Sequence, residues 1–290
     1  MSAIALPARS ARRIGPTGVV MLLLLPIALV NAVGFLWPVV NLLRMSFKET
    51  QATGALIDTV STATWATVLS DSFTLDLIAN SVGVSLFITL LTLVASYPIA
   101  LYLHRSTGLW RTILLVLVIA PLLTSAVVRT YGWIAILSSQ GLIANALLFL
   151  GITPPRLMFN LTGVVIGLTE ILMPYMILAL LSGFGRLDPR FEEAALTLGA
   201  TPWKTFWRVV VPLTAPGMAL GCLLCFVLAI SSFVTPKLLS GGRVFLLATE
   251  IYDQAIVTLN WPVAATLSMI VLVLFGAALA LYTRALRRIA

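Results

Sequence analysis

The sequence predicts an all-α, polytopic membrane protein with six transmembrane helices, and three observations lead there. Hydrophobic residues make up 60% of the 290-residue chain and charged ones only 10%, whereas soluble domains carry about a quarter of their residues as Asp, Glu, Lys and Arg. Mean hydropathy is +1.07. The apolar residues gather into long runs, each near the ~20 residues that a helix needs to cross about 30 Å of hydrocarbon. A helix satisfies its backbone polar groups within one such run, as lipid requires.

Taken in order, the first run covers about Gly18–Leu43, behind Arg9, Arg12 and Arg13. A cleaved secretory leader has an apolar stretch of only about 7–15 residues, so this run reads as a retained first span. Its Pro26 and Pro38 are tolerable where neighbouring helices satisfy the freed carbonyls. Arg44–Asp76 is a polar loop. Apolar runs follow at about Leu77–Leu103, Thr112–Leu137, Gly163–Phe184, Leu213–Thr235 and Pro262–Thr283. Gly141–Leu150 is apolar but too short to cross, and is expected to lie along the outer surface before a turn at Thr153-Pro154-Pro155.

Charge sets the orientation. With the Arg-rich N-terminus inside, alternation puts twelve Lys and Arg residues on the inner side and five on the outer side (Arg44, Lys48, Arg156, Lys237, Arg243). That bias obeys the positive-inside rule and places both termini in the cytoplasm. It also explains the net charge of +8 without nucleic acid, because the cations sit at the junctions between apolar runs. Cys222 and Cys225 lie three apart inside an apolar run, too few ligands for a metal, and read as packing residues. His104, the one histidine, sits beside Arg105 as an interfacial anchor. No catalytic constellation assembles, and no Gly-x-x-x-x-Gly-Lys-Ser/Thr loop is present to cradle a nucleotide.

The most informative stretch is Asp188–Pro212, a polar-rich interval between two apolar runs. Asp188 suits an N-cap and Pro189 the first helical position. Glu192 and Glu193 follow in the first turn, where the helix dipole favours negative charge. Phe191, Ala194, Ala195 and Leu198 recur at helical spacing, and Gly199 ends the helix as a left-handed cap. Thr201 and Pro202 then start a second helix, with Trp203, Phe206, Trp207 and Val210 on one face. An interfacial helix-turn-helix without a partner has the same pattern, so the spacing beyond it matters.

Glu193-Ala194-Ala195, three residues, Gly199, nine residues, then Val209-Val210-Val211-Pro212 resembles the EAA signature of ABC importer permeases. Every fixed position is matched. Tyr97-Pro98-Ile99-Ala100, Val128-Arg129-Thr130-Tyr131-Gly132-Trp133 and Ile230 to Gly242 are similar to the spermidine/putrescine-type branch, and the likeness covers about Leu77 to Tyr282. It implies the type I importer permease fold, with a cytoplasmic coupling helix that docks on an ATPase subunit through Glu192, Glu193, Ala194, Ala195, Gly199 and Pro212. It implies a bacterial inner-membrane location and four kinds of partner: a related but non-identical second permease, two ATPase subunits, a periplasmic solute-binding protein and membrane lipid. Cofactors are then expected on the ATPase alone, as ATP and Mg. In these terms residues 1–76 are the N-terminal span and periplasmic loop, and 77–290 the permease core with coupling segment 188–212.

Two ionisable residues fall inside spans, Arg129 and Glu170, at similar depths that allow a pair. Such residues usually face the bundle interior, paired or lining a path. A structural ion pair, an Arg129 snorkelling to the outer interface, and a path in which Glu170 attracts a cationic solute all remain open. Tyr131, Trp133 and Tyr175 lie at compatible heights to hold an ammonium by cation–π contact.

The resulting expectation is an ATP-driven, binding-protein-dependent import permease for polyamines or a related small solute, working by alternating access. Another small solute, such as an opine, an amino acid derivative or an anion, is the alternative within the family. A proton-coupled carrier with Glu170 as its proton site competes from another class, but needs no ATPase-docking loop and usually shows an inverted repeat in one chain. No convincing repeat is present here.

Overall fold

Helices long and apolar enough to cross a membrane dominate the computed structural model, which describes residues 16–50, 56–57, 60–185 and 187–289. Arg9, Arg12, Arg13 and Arg186, all assigned to the inner side, lie outside the described residues. Six candidate spans are present: Leu23–Ser46, Ser72–Arg105, Ala126–Phe149, Leu161–Phe184, Pro202–Ser231 and Trp261–Arg287.

Helix α1 (Pro16–Asn31) continues through a π turn, Ala32–Leu36, into α2 (Trp37–Ser46). The π turn has a local cause. Pro38 has no N–H for the Gly34 carbonyl, and its ring would collide with that carbonyl in a regular helix. Widening the turn before it, with Trp37 N–H bonding Ala32 O, opens the space. The same device recurs before Pro212. The loop expected after the first span contains a two-stranded antiparallel hairpin, β1 (Glu49–Thr50) with β2 (Leu56–Ile57), and α3 (Ala63–Ser70). Trp65 Nε1 donates to Ser46 Oγ at 3.2 Å and Thr64 Oγ1 to Lys48 O at 2.9 Å, which pin α3 to the end of α2.

Asp71 caps α4 (Ser72–Arg105) by accepting from Phe73 N and Thr74 N. Ser81, Ser85, Thr89, Thr92 and Ser96 form one buried stripe along it. Ser81, Thr89 and Thr92 return their hydroxyls to carbonyls four residues back, each at 2.7 Å, so polar side chains are buried without needing a partner helix and leave room for close packing.

The expected single span Thr112–Leu137 is instead divided. It comprises α5 (Gly108–Ile119), a 3₁₀ turn at Ala120–Leu123 and α6 (Ala126–Leu137), capped by Ser125. Pro121 and the extended Thr124 break the hydrogen-bond ladder. Each 12-residue piece is about 18 Å long, too short to cross alone; the candidate span here is Ala126–Phe149, α6 with the short helix after it, and Gly108–Leu123 stands as a shorter apolar helix. The short apolar stretch, expected to lie along the outer surface, forms a helix, α7 (Leu142–Phe149), and leaves Leu142, Leu148 and Phe149 exposed.

The centre of the bundle is α8 (Leu161–Phe184), whose Val164, Leu168, Met176, Leu180 and Phe184 are sealed from solvent. It packs between α4 and α11 (Val211–Ser231). The α8–α11 crossing is a backbone contact: a Cβ on Gly183 would lie 2.7 Å from Gly217 Cα, with no flexible side chain able to yield. Cys225 is fully buried in this interface, with Sγ 3.7 Å from Leu172 O, and Cys222 packs at the cluster edge, as packing residues do.

The fifth apolar run also ends earlier than Thr235. After Ser231 the chain forms α12 (Val234–Ser240), α13 (Leu247–Tyr252) and a π turn at Asp253–Val257 before α14 (Trp261–Ile289). Thr235, Leu239, Ser240 and Leu247 are buried, so this interval folds back into the bundle rather than forming a surface loop. Thr130 Oγ1 and Thr235 Oγ1, 3.0 Å apart, tie it to α6. Leu247 N donates to Ser81 Oγ at 2.8 Å and ties it to α4.

Candidate functional site

The segment 188–212 is built as two helical pieces around a glycine. Asp188 caps α9 (Pro189–Thr197), accepting from Arg190 N at 2.9 Å. At the other end, Ala200 N donates to Ala195 O (3.0 Å) and Gly199 N to Leu196 O (2.9 Å). These two bonds make a Schellman cap, which needs its C′ residue left-handed. Gly199 has φ +82°, and a Cβ there would meet open space. The glycine is therefore required by its dihedral and not by crowding within this chain.

The apolar stripe of α9 does not face the core. No residue of the helix is buried, and Leu198 is 88% exposed beside an exposed Phe191. Glu192 reaches back to the end of α4, its Oε2 2.7 Å from Arg105 Nη2. Glu193 has no carboxylate partner among the described residues, while its carbonyl accepts from Thr197 Oγ1 at 2.9 Å. Ala194 is exposed and Ala195 half-buried. The arrangement is an outward-facing, small-sided helix with Glu193, unpaired among the described residues, just past its first turn.

The second piece differs from the separate helix expected. Helix α10 (Pro202–Thr205) passes through a π turn, Phe206–Val210, directly into α11, giving one continuous 30-residue helix from Pro202 to Ser231. Val211 N bonds Phe206 O across the widened turn, which makes room for Pro212. Trp203 (70% exposed) and Trp207 face outward, while Phe206 turns inward. Phe206 meets the Tyr97 ring edge-on at 5.7 Å, and Tyr97 meets Phe184 at 5.5 Å. The Tyr97 hydroxyl and Thr214 Oγ1 are 3.0 Å apart. Tyr97 thus joins α4, α8 and the α10–α11 helix at one point. Sequence reasoning gave it no role; the Tyr-Pro pair near the inner end of a span was the available signal. His104 stacks obliquely on Phe184 at 5.5 Å, beside this joint.

Within the spans, Arg129 and Glu170 open onto one cavity of about 640 Å³, with Thr112, Thr124 and apolar side chains of α5 on its wall. The depths matched, but no ion pair forms between them. Glu170 Oε2 instead accepts from Trp133 Nε1 at 3.1 Å. Arg129 Nε and Nη1 are buried without a hydrogen-bond partner. Tyr131 and Tyr175 are exposed and line no part of this cavity. Of the aromatics expected near Glu170, only Trp133 meets it.

A second polar cluster was not anticipated. Lys237 of α12 places Nζ 2.6 Å from Asp253 Oδ2 and 5.8 Å from the centre of the Tyr252 ring. Tyr252 stacks on Phe233 at 5.3 Å and 14°. Glu250, one turn before Asp253, accepts from Gln254 Nε2 at 2.8 Å. Helices of seven and six residues are too short for periodicity to reveal them; Pro236 and the Gly241-Gly242 pair were the only marks.

The chain is similar to known proteins. The family model described as "Binding-protein-dependent transport system inner membrane component" matches residues 19–289. The spermidine/putrescine transport system permease protein PotB of Escherichia coli is 37% identical over 223 residues, covering 76% of this chain and 81% of that protein. The molybdenum transport system permease protein ModB of Mycobacterium bovis is 30% identical over 210 residues, covering 71% and 78% respectively. Among solved structures, a chain of a bacterial alginate ABC transporter in complex with an alginate pentasaccharide-bound periplasmic protein aligns with a TM-score of 0.74 over 93% of this chain and 94% of that one, at 17% identity. At that identity the likeness is one of fold.

Proposed function

The chain belongs to the family of binding-protein-dependent transport system inner membrane components, and from that premise we propose that it moves polyamines or a related small solute by alternating access. As a member it is a multi-pass inner-membrane permease subunit of an ABC importer, not an enzyme, and ATP hydrolysis belongs to a separate subunit. The finer assembly is inferred: two ATPase subunits carrying ATP and Mg, a related but non-identical second permease, a periplasmic binding protein, and both termini in the cytoplasm. The division into residues 1–76 and a core of 77–290 belongs to the same inference.

One observation carries the coupling role. Helix α9, which ends at a left-handed Gly199, exposes its apolar side and a Glu193 unpaired among the described residues, a surface suited to a partner's groove with a cationic rim. The polyamine reading is supported by the PotB relatives. It is supported secondarily by Glu170 and Trp133, a carboxylate and an indole beside one cavity. A second solute class has its own support: ModB is also a relative, and Arg129 presents buried, unpartnered guanidinium N–H groups to that cavity, as an anion needs. Calorimetry on the cognate binding protein separates the two. Heat with spermidine or putrescine and none with oxyanions supports the polyamine reading, and the reverse result replaces it.

A further inference from the structure

The interval between the fifth and sixth spans holds a site that neither the coupling role nor the Arg129–Glu170 cavity uses. We propose that Asp253, Tyr252 and Phe233 form a station for a solute ammonium, occupied in the empty protein by the chain's own Lys237, which an incoming amine displaces. The proposal rests on the polyamine reading above and adds the place and the means by which the amine is held and released.

The chemistry is that of a primary alkylammonium. The Lys237 ammonium sits on a four-carbon stem, as does each end of a small diamine, and it is held by the two elements that recognise such a group. The carboxylate of Asp253 takes it with both oxygens, Oδ2 at 2.6 Å. The Tyr252 ring lies within about 6 Å, the reach of a cation–π contact, and is backed face to face by Phe233. Lys237 therefore shows what the pocket accepts.

A purely structural pair fits the surroundings less well. Side chains of Lys237 and Asp253 are 36% and 30% exposed, and pairs this open contribute little stability. The interval is already fixed by buried Thr235, Leu239 and Leu247 and by the bonds from Thr130 and Ser81. That exposure leaves the pair open to exchange, and the aromatic wall also borders open space. Phe233 and Tyr252 border a cavity of about 400 Å³ that runs to Ser231 at the end of α11 and Ser268 of α14. Asp253 begins a π turn, an irregularity frequent at functional sites. Glu250 adds a second carboxylate nearby, so one lysine leaves the cluster one negative charge in excess.

The lysine then has a function that an empty carboxylate lacks. A bare site of this kind beside a transport path would trap the amine. A tethered ammonium competes for the same oxygens, lowers apparent affinity by the fraction of time it is seated, and returns as the solute leaves. Asp253 is paired with an ammonium in both conditions, and the displaced Lys237, on a side chain 36% exposed, leaves its charge to water.

The test uses the complete importer, this chain with its cognate ATPase, second permease and binding protein, and radiolabelled putrescine and spermidine. Purified Lys237→Met complex is expected to retain several-fold more putrescine than wild type at equilibrium while its uptake slows. Asp253→Asn and Tyr252→Leu complexes are expected to retain less. The decisive variant exchanges the charges, Lys237→Asp with Asp253→Lys. It keeps an ion pair and is expected to assemble normally yet lose uptake, because the lysine now leaves from the aromatic wall. Uptake restored to wild type by the exchange shows a structural pair and overturns the station, as do single variants that bind and transport like wild type. A wild-type importer that takes up neither amine overturns the polyamine reading, and this station with it.

Discussion

Gly199 offers the sharpest test of the coupling segment, because its requirement separates into dihedral and space. Its φ of +82° is left-handed, and among the described residues no atom beyond its two chain neighbours lies within 4 Å of a Cβ built there. Alanine therefore costs only the intrinsic left-handed penalty, about 1–2 kcal/mol, and a β-branched valine sits at the upper end of the 1–3 kcal/mol range for such strain. Asparagine, which tolerates this region, costs less. A penalty of about 2 kcal/mol shifts the population with an intact cap roughly thirty-fold, and releases the Ala200-to-Ala195 and Gly199-to-Leu196 bonds. Nothing in the spans touches the residue, so membrane levels are expected to stay normal. The assay is ATPase stimulation by loaded binding protein and copurification of the ATPase across Gly, Asn, Ala and Val at position 199. Stimulation should fall in that order. Valine equal to glycine refutes the docking role. Asparagine as damaging as valine refutes the dihedral argument and points to close approach by the partner.

Three further outcomes follow from the same structure. Glu170→Gln leaves an acceptor for Trp133 Nε1 but deletes the charge; transport of a cationic solute should fall by an amount set by about 2–5 kcal/mol, with assembly intact, and wild-type uptake refutes the substrate role. Because Arg129 and Glu170 make no ion pair, Arg129→Gln should not relieve that loss, which paired uptake assays check. Gly183→Leu forces a side chain against the Gly217 backbone; the α8–α11 contact should separate and the chain should disappear from membrane fractions on immunoblots, while Gly276→Leu, with open space around it, should not. Tyr97→Phe keeps both ring contacts and removes the hydroxyl bond to Thr214, a loss of about 0.5–1.5 kcal/mol, visible as a small drop in the complex's melting temperature.

The parts legible in the sequence are those whose physics is additive along the chain. Apolar content summed over a window located the spans, and the capping residues Asp188 and Gly199 marked both ends of α9. What escaped depends on geometry that a sum ignores. Pro121 leaves hydropathy high while breaking the hydrogen-bond ladder, so α5 and α6 read as one run. Depth along the axis matched Arg129 to Glu170, yet Trp133, one turn along the same face of α6, took the carboxylate. Pro212 read as a boundary, but the π turn before it absorbs the proline and the helix passes through. Tyr97 and the Lys237 cluster needed contacts between elements far apart in the chain.

That uninterrupted helix from Pro202 to Ser231 has a mechanical consequence. Its closest hold on the bundle is at Gly217, where it lies backbone to backbone on Gly183. From that point about 21 Å of rod extends to Trp203 and about 21 Å to Ser231, at about 1.5 Å per residue. Arms so nearly equal about a narrow fulcrum turn a tilt at the Trp203 end into one of the same size and opposite sense at the Ser231 end, which borders one cavity with Phe233 and Tyr252. Pro212 of that arm follows directly on the widened turn Phe206–Val210, while Pro216 lies beside the pivot itself. A see-saw of this build delivers displacement across the membrane without gain or loss.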